Sequence, residues 1–117
     1  MRILTLATTA LLTLLTAGFA HAHAFLDHAE PRVGSKVTTA PTEVALFFSQ
    51  NLEAAFSSIE VSDANGARVD QGKAKINAST MRVGVKPLPP GTYKVRWQVL
   101  SKDTHTTEGN FSFTVGP

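Results

Sequence analysis

The chain has 117 residues and a formal net charge of +2. That balance is too even to imply a nucleic-acid partner or an anionic membrane surface. It contains no cysteine, which excludes disulfides, thiolate nucleophiles and every cysteine-based metal motif. Of its two methionines, Met1 opens the chain and only Met81 lies within it, so a metal site here must use nitrogen and oxygen donors.

The chain opens on Met1-Arg2, then an uncharged apolar and threonine-rich stretch from Ile3 to Thr16, then Ala20-His21-Ala22. A positive start, a short apolar core and a small-x-small site describe a cleaved secretory signal peptide over residues 1–22. The apolar stretch is shorter than the ~20 residues that a membrane-spanning helix needs. Cleavage after Ala22 leaves one domain, residues 23–117, that starts at His23. Cleavage after Ala20 instead leaves His21-Ala22-His23, a start that could wrap a metal by itself.

The rest of the chain reads as short strands. Thr42 to Ser49 and Phe56 to Asp63 are rich in strand formers. Asn65-Gly66 is a hairpin signal, because both residues tolerate positive φ. Ala67 to Ile76 reads as one or two strands interrupted at Gly72. Thr80 to Val85 alternates, with Met81, Val83 and Val85 on one side. Pro87 to Gly91 is a break. From Thr92 to Leu100, Tyr93, Val95, Trp97 and Val99 alternate with Lys94, Arg96 and Gln98, and the last strand alternates through Phe111, Phe113 and Val115. About seven strands without a helical period predict an all-β, antiparallel Greek-key sandwich or barrel of immunoglobulin-like type.

Two features could carry chemistry. A free N-terminal His23 offers its α-amine and imidazole to one metal ion, and such nitrogens suit Cu(II). Asp103 and His105, in Ser101-Lys102-Asp103-Thr104-His105, fall on one face if that segment is extended. They come just after the clearest strand, where loops commonly carry binding residues. Taken singly, each reads as well as a solvated terminus and as a polar turn capped by Asp103. Met81 belongs to an apolar strand face and is assigned to the core. His28 reads as a surface residue.

Several blocks in this order resemble the copper-resistance CopC/PcoC family. They are His23 with Pro31 and Gly34-Ser35 after it; Phe48-Ser49-Gln50-Asn51-Leu52 and Phe56-Ser57; Gly91 to Trp97; Ser101 to His105; and Gly109 to Val115. The resemblance spans nearly all of residues 23–117. It implies a periplasmic Cu(II) site built from the His23 amine and imidazole, Asp103 and His105, on a Greek-key β-fold. Some members have a glutamate near the copper where this chain has Gln50, which could hydrogen-bond a bound water. Others have a methionine-rich loop for Cu(I), whereas residues 53–80 here hold no methionine. Glu108 is a further candidate, as a group orienting His105.

The resemblance thus implies a non-enzymatic, monomeric copper carrier or sequestering protein. Its partners are the copper ion and a copper-transporting inner-membrane permease, with no nucleic acid and no small-molecule substrate. Two other readings predict differently. A histidine-brace copper oxidase needs a substrate platform, yet Trp97 and Tyr93, the only Trp and Tyr, fall on the face expected to be core. An immunoglobulin-like interaction module needs neither metal nor His23.

Overall fold

The computed structural model describes residues 24–117. The expected signal peptide and His23 lie outside the described residues. Eight strands run in order: β1 (Leu26–Glu30), β2 (Lys36–Val37), β3 (Glu43–Phe48), β4 (Ser58–Ser62), β5 (Asp70–Asn77), β6 (Thr80–Val85), β7 (Gly91–Leu100) and β8 (Thr106–Val115). They build two four-stranded sheets, β1-β3-β6-β5 and β2-β8-β7-β4. All pairings are antiparallel except that of β2 with β8. The expected all-β sandwich is therefore the observed fold.

Alternation explains the packing. Tyr93, Val95 and Val99 of β7 and Phe111, Phe113 and Val115 of β8 turn inward. They meet Val44, Leu46 and Phe48 of β3 and Met81, Val83 and Val85 of β6 in one core. Met81 is fully buried, as its strand position predicts. Trp97 is half-buried. Its ring meets Phe48 edge-on, with centroids 5.1 Å apart, and lies over Gly109, where a Cβ would come within 2.6 Å of it.

β1 and β2 escape a reading by alternation for a physical reason. The register of β1 shifts between Leu26 and His28, so its inward residues, Leu26 and Ala29, are three apart rather than two. β2 has only two residues, too few to show a period.

The Asn65-Gly66 turn forms, with Gly66 at φ +86° and Asp63 Oδ1 accepting the amides of Asn65 and Ala67, both at 2.9 Å. The hairpin it was expected to close is brief. After one bridge, Ser62 to Arg68, the chain crosses to the other sheet. Asp70 Oδ1 then takes the amide of Val61 at 2.8 Å, so a side chain fills the slot that a longer hairpin would give to a carbonyl. Gly72, at φ +76°, sits inside the register shift of β5 between Gln71 and Lys75, the interruption read from the sequence.

The two ends of the sandwich differ. One gathers Ala24–Phe25, the segment after β3, and the β7–β8 turn. The other gathers Pro41–Thr42 and the Lys86–Pro90 crossing, where Tyr93 Oη donates to the carbonyl of Pro89. A buried tyrosine bonded back to the chain a few residues upstream is typical of Greek-key sandwiches.

Candidate metal centre

Residues 101–105 join β7 to β8. Ser101 is fully buried. Its amide donates to the His105 carbonyl at 3.0 Å, and the Thr104 amide donates to the Ser101 carbonyl at 2.9 Å. Thr104 sits at φ +72°, a conformation that a β-branched residue adopts only when its surroundings impose it. Here the surroundings are the segment after β3. Leu52 bridges Ser101, the Asn51 carbonyl accepts the Lys102 amide at 3.0 Å, and Glu53 pairs with Lys102 at 3.3 Å.

The segment is therefore a tight turn and not the extended stretch that the spacing suggests. Asp103 and His105 converge all the same. Asp103 Oδ1 faces inward, accepting from the Ser101 hydroxyl and from the His105 amide at 3.4 Å. Asp103 Oδ2 lies on the imidazole side, 3.5 Å from His105 Nδ1. So Asp103 caps the turn with one oxygen and meets the histidine with the other.

The Ser101 hydroxyl, aided by the His105 amide and imidazole, holds the Asp103 carboxyl below the usual carboxylate range, against a smaller desolvation effect. A ligand already ionised binds metal without first losing a proton. The pair offers one oxygen and one nitrogen, a donor set that fits a tetragonal N/O centre and not a soft-metal site. Among the described residues no third His, Cys, Asp or Glu joins them.

The chain just after His23 arrives at this same turn. Ala24 is fully buried, and its carbonyl accepts the Thr107 hydroxyl at 2.7 Å, two residues beyond His105. Phe25 donates its amide to Ser49 Oγ at 2.9 Å and accepts the Ser49 amide at 2.9 Å.

The other candidates are dispersed. Gln50 is half-buried in the segment that clamps the turn. Glu108 lies opposite Gln98 in β8 and lines an outer-face depression with Ser58, Glu60 and Arg96. Asp103, rather than Glu108, is the acid beside His105. His28 is exposed, with Nδ1 2.9 Å from Asp27 and its ring stacked on Phe47 at 4.3 Å. The sequence reading missed the supporting roles of Ser49, Ser101 and Thr107, since a hydroxyl in a strand-rich chain carries no pattern of its own.

The CopC domain model matches residues 26–116. The chain belongs to the CopC family. It is similar to the protein YobA of Escherichia coli, at 35% identity over 97% of this chain and 95% of YobA. Among solved structures, CopC from Methylosinus trichosporium OB3b superposes with a TM-score of 0.76 at 36% identity, over 81% of this chain and 95% of that one. PcoC, a methionine-rich copper resistance protein from Escherichia coli, gives 0.72 at 34% identity, over 80% of this chain and 99% of that one. The matched residues 26–116 include both sheets and the 101–105 turn.

Proposed function

We propose that residues 23–117 form a periplasmic Cu(II) carrier or sequestering protein of copper homeostasis, released by cleavage after Ala22. Copper is its cargo, and the protein performs no catalysis. The His23 amine and imidazole, Asp103 and His105 hold the ion. A copper-transporting permease of the inner membrane receives it, the route that the family resemblance implies. The observation that carries the reading is the convergence of Asp103 and His105 beside the fixed Ala24–Phe25 segment.

Three nitrogens and one carboxylate oxygen suit Cu(II). The copper resistance function named for PcoC supports copper over other divalent ions. PcoC is also described as methionine-rich, whereas Met81 here is fully buried, which favours Cu(II) alone over a protein that also holds Cu(I). The buried Tyr93 and half-buried Trp97 give an oxidase reading little support.

The test is Cu(II) titration of protein beginning at His23, followed by electron paramagnetic resonance, beside a sample with an acetylated N-terminus. The expected result is one nitrogen-rich tetragonal Cu(II) in the first and a loss of affinity of at least about 100-fold in the second, since a chelating ligand is removed. Equal binding by both would overturn the amine-plus-imidazole site. Binding by neither would favour the interaction module.

A further inference from the structure

We propose that Ser49 and Thr107 form a hydroxyl clip that positions His23 through Ala24 and Phe25, setting copper affinity without touching copper. The clip rests on the copper site of His23, Asp103 and His105.

Ser49 directly follows β3 of the first sheet, and Thr107 belongs to β8 of the second. Thr107 Oγ1 donates to the Ala24 carbonyl at 2.7 Å. Ser49 exchanges two bonds with Phe25, both at 2.9 Å. The Ala24–Phe25 peptide group is thus held from opposite sheets, at its carbonyl by Thr107 and at its amide by Ser49, and Ala24 is fully buried. Two sheets fix the segment in position and direction, where a single bond would leave it free to pivot.

Thr107 stands on the inward face of β8, in register with Val99 of β7. Farther along that face β8 carries Gly109 and then the apolar Phe111, Phe113 and Val115. Thr107 is half-buried there, and its hydroxyl is turned to the Ala24 carbonyl.

Chain ends ordinarily fray. If Ala24 frayed, copper binding would have to order several residues at once, and that entropy would be subtracted from the affinity. With Ala24 and Phe25 already held, that cost is smaller. Ser49 and Thr107 are therefore positioning residues.

The experiment uses protein beginning at His23, with Thr107→Val, Ser49→Ala and Thr107→Ser variants. Three quantities are read: the Cu(II) dissociation constant by competition, the paramagnetic resonance spectrum, and hydrogen exchange of the Phe25 amide in the metal-free protein. Thr107→Val should weaken Cu(II) binding about fivefold to tenfold, the effect of one lost hydrogen bond. It should also speed Phe25 exchange. Thr107→Ser, which keeps the donor, should restore both. Ser49→Ala should act in the same direction and serves if Thr107→Val folds poorly.

Wild-type affinity and spectrum in both Thr107→Val and Ser49→Ala would overturn the clip, as would a Thr107→Ser variant no better than valine. The acetylated wild type separates the two ideas. If acetylation abolishes binding while the clip variants bind normally, the clip alone falls. If acetylation changes nothing, the amine site falls and the clip's role in affinity falls with it.

Discussion

The two ends of the sandwich solve the same problem with different chemistry. At each, strands must be joined without leaving backbone groups unpaired. The proline-rich end does so with stiff residues and apolar contact. Leu88 is buried between prolines, and one hydroxyl, that of Tyr93, secures the crossing. The opposite end uses hydroxyls and charges: Ser49, Ser101 and Thr107 each bond the chain, and Asp103, His105, Lys102 and Glu53 surround the turn. The first arrangement needs nothing beyond itself. The second places an ionised acid and an imidazole at the surface and holds them, which suits an end that meets a ligand.

That contrast is open to test, and Ser101→Ala should show the largest effect. The buried hydroxyl holds both the turn and the Asp103 carboxylate, so its loss should cost about 1–3 kcal/mol of stability by denaturant unfolding. It should also raise the pH at which copper is released. The Asp103 pKa lies below its ordinary value chiefly because of Ser101. Without that donor the carboxylate protonates at higher pH, and acid displaces the metal sooner. A release profile unchanged in Ser101→Ala would mean that the turn is not what tunes the acid.

At the other end, Tyr93→Phe should cost about 1 kcal/mol, the net worth of one hydrogen bond, and leave the Cu(II) dissociation constant unchanged. A change in copper affinity there would show that the ends are coupled.

The smallest effect is expected at the seam between the sheets. Arg68 holds Asp70 through 2.8 Å contacts, and this pairing is the main reason the Asp70 pKa is lowered. A lowered carboxylate pKa stabilises the fold above its unfolded value, and that stability is lost as pH falls through the folded value. Arg68→Met should therefore start acid unfolding at a slightly higher pH. Because Arg68 is about half exposed, the cost near neutrality should be no more than about 1 kcal/mol. Thermal melts between pH 2 and 7 would measure it.

Much of the fold was legible in the sequence, because period two is a local signal. β6 and β7 announce both their extent and their inward residues, and β8 its inward Phe111, Phe113 and Val115 but not its start at Thr106. β1 did not, since its register shift hides the alternation. Asp103 and His105 were legible as a pair, though the reason they converge was not. It lies in the left-handed Thr104 and in a clamp from residues 51–53, neither of which a two-residue spacing reveals. Glu108 seemed close to His105 by number, yet the strand carries it to the outer face. Ser49 and Thr107 act across the sandwich, and only the tertiary structure brings them to Ala24.

The contact between Thr107 and Ala24 joins residues 83 positions apart. Between them the chain shuttles from sheet to sheet: β1, β3, β5 and β6 lie in one, and β2, β4, β7 and β8 in the other. Contacts of such long sequence separation form late and slow folding, because a large loop must close before any of them is gained. The last junction to close is therefore expected to be the one beside Asp103 and His105. A nascent or partly folded chain would present those two residues apart from its beginning, and copper would meet a weak, incomplete set of donors. On the proposed copper site, loading would then come after folding rather than guide it.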